Sequence, residues 1–190
     1  MYVLGVNGSG RADGNTAVLV AAVLEGAEAA GASTGLLQLA QMQFQGCDGC
    51  QRCKESHRCA VRDDMDRFYE LAAEADVLVP GSPIYLDHVT GQMKSFIDRL
   101  YCYLGPKLEN HYPNPAARAV PCITYGAGGD ETYDGVLEWM SGRLSGYFGI
   151  PTIGTFALPG AGFRPVVGEE HPIIRHARAF GESLLERGRG

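Results

Sequence analysis

No apolar run in this 190-residue sequence is long enough to span a bilayer, and positive charge is scarce: 16 Lys and Arg face 22 Asp and Glu, a formal net charge of −6. The first lack argues against a membrane helix. The second removes the basic field that a nucleic-acid or anionic-membrane binder needs. There is no fixed repeat, collagen period, low-complexity tract or linker, so solenoids and tethered modules are excluded. The opening run, Met1 to Val6, is too short and lacks the basic leader of a signal peptide, and the chain is expected in the cytoplasm. What is present suits a packed soluble protein. A 45% hydrophobic and 20% charged chain of this length is expected to form one domain over 1–190, burying roughly 70% of its extended surface. In that compartment the six cysteines are expected as thiols or ligands, not disulfides.

Hydrophobic periodicity alternates between two forms. Tyr2–Val6 reads as a buried strand stopped by Asn7-Gly8-Ser9-Gly10. Asn15 and Thr16 then read as caps of a helix with Leu19, Ala22, Val23, Gly26 and Ala30 on one face, ended by Gly31. Thr34–Leu39 is the second strand. Met65, Phe68, Tyr69 and Ala72 mark a helix entered through Asp63-Asp64. Val77–Val79 is a third strand, closed by Pro80-Gly81-Ser82-Pro83, and Met93, Phe96, Ile97, Leu100 and Leu104 follow at helical spacing. Val120–Tyr125 and Ile153–Leu158 are strands four and five, separated by a helix through Val136, Leu137, Met140, Leu144 and Phe148; a last helix starts near Pro172. Five strand–helix units with continuously apolar strands predict an α/β three-layer sandwich around a parallel sheet of order 2-1-3-4-5. Ligands bind such sheets at the carboxyl ends of the strands.

Three loops fall at that edge. Gly8–Thr16 leads from a strand into a helix N-terminus, where backbone N–H groups and short donors on Ser9, Asn15 and Thr16 would accommodate a phosphate. It has neither the G-x-G-x-x-G pattern nor a P-loop lysine, which argues against NAD on this loop and against ATP hydrolysis. Pro83, Ile84 and Tyr85 offer an apolar and aromatic wall for a flat heterocycle. Thr124–Asp130 again presents glycine-rich backbone at a helix start. The bland alternatives are a capped turn for the first loop and core packing for the second. His88 reads as a solvated bystander before a proton relay, and the scattered histidines form no nucleophilic triad.

Taken together, Gly8-Ser9-x-Arg11-x-x-Gly14-Asn15-Thr16, Gly81-Ser82-Pro83-Ile84-Tyr85 and Gly91-Gln92-Met93-Lys94-x-Phe96-Ile97-Asp98-Arg99 resemble the NADPH-dependent FMN reductase branch of the flavodoxin-like proteins, over most of residues 1–158. The resemblance implies FMN, with Ser9, Arg11, Asn15 and Thr16 at its phosphate, Pro83, Ile84 and Tyr85 at its ring, and Thr124, Gly126 and Gly128 at the far edge. Gly10 stands where the family usually has proline.

A Cys-rich insertion at about 46–60 carries Cys47, Cys50, Cys53 and Cys59 in a C-x2-C-x2-C-x5-C spacing. Successive two-residue gaps let three thiolates converge on a soft metal centre. Within the same family this segment resembles that of the iron–sulfur flavoproteins, which implies a [4Fe–4S] cluster on the four cysteines. Zinc and free or redox-active thiols stay as alternatives. Cys102 and Cys122 are expected as small buried hydrophobes. The expected activity is hydride transfer from NAD(P)H to FMN, then electron transfer to a quinone, nitro compound, flavin or protein. The alternatives are a non-enzymatic carrier working with ferredoxin-like partners, or a flavin-free regulatory domain. A homodimer or homotetramer is expected, with Tyr101, Tyr103 and Leu104 as contact residues and 105–118 as a cover for the flavin or a subunit contact.

Overall fold

The computed structural model describes residues 1–162 and 167–187. Its strands are β1 (Tyr2–Asn7), β2 (Ser33–Gln38), β3 (Val77–Tyr85), β4 (His88–Val89), β5 (Arg118–Ala119), β6 (Cys122–Thr124) and β7 (Phe156–Leu158). The helices are α1 (Asn15–Ala29), α2 (Met65–Ala72), α3 (Gly91–Arg99), α4 (Asp134–Phe148) and α5 (Pro172–Arg187), with 3-10 turns at Leu39–Gln41 and Leu100–Tyr103. The main path of the sheet is β2-β1-β3-β6-β7, all parallel. With the two-residue strands β4 and β5 set aside, this is the expected order 2-1-3-4-5.

Alternation along the strands builds the three layers, because successive side chains leave a strand on opposite faces. Val3, Val77 and Val79 pack with Leu19, Val20 and Val23 of α1 and Ile174, Ala177 and Leu184 of α5. Leu4, Val6, Leu78 and Ile123 pack on the other side with Phe68 of α2, Met93 and Phe96 of α3, and Leu137 and Met140 of α4. The α1–α5 layer depends on two glycines. A Cβ on Gly26 would stand 2.0 Å from the Arg178 carbonyl oxygen, and one on Gly181 would stand 2.2 Å from that of Val23. The two backbones therefore meet directly. Among the described residues no helix is long and apolar enough to cross a membrane.

The structure corrects four local expectations. Gly14, extended at φ −88 and ψ 176, is the N-cap of α1, and neither Asn15 nor Thr16 caps it; their side chains bond across the fold instead. The third strand does not close at Pro80: it runs to Tyr85, pairing with β1 as far as Gly81 and with β6 as far as Pro83. A proline forfeits one donor, but the carbonyls around it still accept, as Leu78 does from Val120 N–H and Gly81 from Gly8 N–H, both at 2.8 Å. The fourth strand is split into β5 and β6 around Pro121, which lacks an N–H, while both halves keep one register against β3. The fifth strand shortens to Phe156–Leu158, joined upstream by a single bridge between Ala119 and Thr152.

The segment after α3 makes several contacts within the chain. Tyr103 and Leu104 are buried within this chain, and Tyr101 lies under the Lys54 ammonium, 3.2 Å from its ring centroid. Residues 105–118 bend back on themselves through Gly105 N–H to Glu109 O at 2.9 Å and reach α4 through Asn110 Nδ2 to Phe148 O at 2.8 Å.

Candidate active site

At the carboxyl edge of the sheet, the end of β3 and the loops after β1, β6 and β7 enclose a cleft of about 330 Å3, within the size range of small-molecule sites. Ser9, Arg11, Asn15, Thr16, Pro83, Ile84, Tyr85, Thr124 and Gly126 all line it. Gly128 does not. It sits at φ +92, where an added Cβ would meet Thr132, and serves the turn into α4. His88 is also outside the lining; its ring stands edge-on to Trp139 at 4.5 Å.

Each lining residue is placed by a local bond. Asn7, ending β1, accepts from Ser9 N–H at 3.0 Å, and Ser9 Oγ accepts from Arg11 N–H at 3.1 Å. Two successive turns of this kind curl the loop over the start of α1 and leave the Ser9 O–H to donate elsewhere. The first helical N–H groups have no intrahelical acceptor, since the first such bond runs from Val18 to Gly14. Thr16 Oγ1 and Thr124 Oγ1 share one hydrogen bond of 2.8 Å, joining the α1 entrance to the end of β6. One hydroxyl proton makes that bond, so the other is available to a ligand.

Asn15 holds the opposite wall. Its Nδ2 donates to Ala161 O at 2.6 Å and its Oδ1 accepts from Val167 N–H at 2.8 Å, so its side chain fixes the loop after β7. Tyr125 N–H to Leu158 O at 3.1 Å and Ala161 N–H to Tyr125 O at 2.8 Å zip that loop to the one after β6. Gly126 and Gly162 meet backbone to backbone: a Cβ on Gly126 would lie 2.7 Å from the Gly162 Cα. Arg11 reaches across with Nη2 3.5 Å from Gly162 O.

Electrostatically the cleft favours one anionic group. Arg11 is the charged side chain among its lining residues, beside the positive end of α1. At the mouth, Tyr85 is 52% and Leu86 100% exposed, an apolar rim facing solvent. An elongated ligand with a phosphate at one end and a flat apolar ring at the other fits this donor set and wall. Sequence reasoning named Tyr125 and Ala127 only as part of the Thr124–Asp130 loop, and it missed Ala161 and Gly162 as lining residues. The signal for the last two was present: they follow β7 and so lie at the same carboxyl edge as the other loops.

No residue of the cysteine segment lines this cleft. Cys47 and Cys50 are exposed, Cys59 is half-buried and Cys53 is buried. Burial pushes the Cys53 thiol up, and Lys54 beside it pulls the other way. Four thiols on one loop are a suitable soft donor set, yet among the described residues no three Cys, His, Asp or Glu side chains are grouped to hold a metal ion. As arranged here, the four thiols do not form a cluster cage. The segment borders a second cavity of about 430 Å3, lined by Cys59, Cys102, Tyr103, Arg58 and the stacked pair His57 and His111, whose ring centroids are 3.6 Å apart. Cys102 and Cys122 are buried, and burial pushes the Cys102 thiol up to about 12.

The NADPH-dependent FMN reductase family model matches residues 1–159. An iron-sulfur flavoprotein of Archaeoglobus fulgidus is 31% identical over 189 residues, covering 98% of this chain and 80% of that protein. Another, of Methanocaldococcus jannaschii, is 38% identical over 99 residues, and the match spans about half of each protein, 52% of this chain and 51% of the relative. Among solved structures, the NAD(P)H:quinone oxidoreductase from Methanothermobacter marburgensis superposes with a TM-score of 0.72 at 18% identity, covering 97% of this chain and 96% of that one. A flavodoxin from the domain Archaea does so with a TM-score of 0.64 at 13% identity over 100% of both chains. At such identities the likeness is one of fold, a flavodoxin-like parallel α/β sandwich.

Proposed function

The chain belongs to the NADPH-dependent FMN reductase family, and from that premise we propose that it is a cytoplasmic FMN-dependent NAD(P)H oxidoreductase passing electrons to a quinone, nitro compound, free flavin or protein. The observation that carries this reading is the convergence of Ser9, Arg11, Thr16, Pro83 to Tyr85, Thr124 and Gly126 on one cleft. Bound FMN would supply the hydride-accepting and electron-donating chemistry. The chain's residues hold and orient it. The α1 N-terminus, the Ser9 hydroxyl and the Arg11 guanidinium bind the phosphate, with the spare Thr16 or Thr124 hydroxyl beside them. Pro83, Ile84 and Tyr85 cover the ring and exclude water from it. Asn15 acts through the loop it fixes, keeping Ala161 and Gly162 against Gly126.

Heat release of the ligand should yield FMN, and NADH or NADPH added without oxygen should bleach the bound flavin. Release of FAD, or of nothing, overturns the cofactor; a flavin that pyridine nucleotides leave oxidised overturns the enzyme.

A second reading is favoured by the four-thiol loop and by the iron-sulfur flavoprotein relatives: an electron carrier with a [4Fe–4S] cluster on Cys47, Cys50, Cys53 and Cys59 and a ferredoxin-like partner. It requires the four thiols, which are not grouped among the described residues, to converge. The iron-to-flavin ratio of protein purified without oxygen decides it: four irons per flavin are expected for the cluster, and none leaves a cysteine-rich reductase. A homodimer or homotetramer is part of the proposal, and a monomer by light scattering with flavin bound and activity intact removes it.

A further inference from the structure

The second cavity brings together two thiols that lie far apart in sequence. Cys59, on the cysteine segment, and Cys102, in the 3-10 turn after α3, both line it, whereas Cys47, Cys50 and Cys53 do not. The Arg99 side chain explains the meeting. Its Nη2 donates to Val61 O at 3.4 Å, two residues beyond Cys59, and Arg99 itself is three residues before Cys102. The same guanidinium holds Gln45 O at 2.8 Å and the Asp63 carboxylate, so both ends of the segment are tied to α3. No helix or strand lies between Gln41 and Met65, so the backbone at Cys59 can adjust without breaking a ladder.

We propose that Cys59 and Cys102 are a redox pair that closes to a disulfide, locking the cysteine segment onto the turn after α3. The reaction needs an oxidant, and a low-molecular-weight disulfide supplies it. Cys59, half-buried and open to the cavity, attacks one sulfur of the reagent, and the first reagent thiol leaves. The Cys102 sulfur then attacks the Cys59 sulfur of the mixed disulfide, forming the Cys59–Cys102 bond and releasing the second thiol. The two protein thiol protons go to the two departing thiols, and the reagent is reduced by the two electrons the protein loses. The closed bond would remove Cys59 from the four loop thiols, so a chain oxidised in this way could not load a cluster on them. That consequence rests on the iron–sulfur reading; the pairing does not, and it is independent of the flavin.

The test treats metal-free protein with oxidised glutathione and maps disulfides by mass spectrometry, with flavin content read from the same samples. A Cys59–Cys102 linkage is expected in the unsubstituted chain. It should be absent from Cys102→Ala, where Cys59 stays free or keeps glutathione, and flavin content should not differ between the two. If Cys102→Ala does not fold, Cys59→Ser tests the same point, with Cys102 expected as a free thiol. Pairing confined to Cys47, Cys50, Cys53 and Cys59, with Cys102 free in the unsubstituted chain, overturns the proposal. Absence of flavin from every sample would instead count against the oxidoreductase reading and leave the disulfide result to stand.

Discussion

Arg99 and Asp63 form a bidentate ion pair, Nη1 to Oδ2 at 2.6 Å and Nη2 to Oδ1 at 3.0 Å, with the arginine side chain wholly buried. Asp63 also accepts from Met65 N–H at 3.1 Å, starting α2, and from Gln45 N–H at 3.3 Å. The pair thus closes the neck of the cysteine segment. Replacing Arg99 by Leu should cost about 3–5 kcal/mol, because it leaves the carboxylate and two backbone carbonyls without their donor. Urea unfolding of the two proteins measures this.

The pair also sets an acid limit. Burial works against the Asp63 charge, but the Arg99 guanidinium and the Met65 and Gln45 N–H groups outweigh it and hold the carboxyl below its usual value of 3.8. Stability from this group is complete above about pH 5 and is lost as pH falls through the lowered folded-state value. The urea midpoint should therefore drop between about pH 5 and pH 3 more steeply in the unsubstituted chain than in Asp63→Asn. Parallel curves would show that Asp63 does not contribute.

Gly126→Ala places a methyl 2.7 Å from the Gly162 Cα, whereas Gly129→Ala, three residues on, meets nothing within 4 Å. The first should cost about 1–3 kcal/mol by forcing two backbones apart. It should also weaken flavin retention, while the second leaves both unchanged. Calorimetric melting and flavin content after dialysis separate them; equal behaviour would remove Gly126 from the cleft wall.

Asn15→Ala strips the donor from Ala161 O and the acceptor from Val167 N–H. Two groups lose their partner, at about 1–3 kcal/mol for each one that is buried. Flavin retention should fall with the loop. Asn15→Asp restores only the acceptor, so retention between that of Asn and Ala is expected; retention unchanged in Ala would show that the loop does not need its tether.

The β3–β4 hairpin turns through Leu86 at φ +47 and Asp87 at φ +65. Two left-handed residues make the tight turn that Asn and Gly favour, and Leu there is strained. Leu86→Asn should raise stability by about 1 kcal/mol. If activity falls as stability rises, the fully exposed Leu86 works at the cleft mouth; if neither moves, the turn is relaxed.

The strand–helix alternation and the sheet order were legible in the chain. Each follows from periods of two and 3.6 residues and from the handedness of crossovers, which are local properties of the backbone. Three of the loops around the cleft could be found in the same way, because parallel strands deliver their loops to one edge. What Asn15 and Thr16 do there was not legible. As helix caps they would bond to their own neighbours; instead Asn15 bonds to Ala161 and Val167, and Thr16 to Thr124, partners more than a hundred positions away. The cysteines show the same divide. Their spacing states which thiols are near one another along the chain, but Arg99, buried among atoms from both ends of the segment, seats that segment against α3 and the turn that carries Cys102. A choice among distant partners depends on which surfaces the folded layers press together, and no local period encodes it.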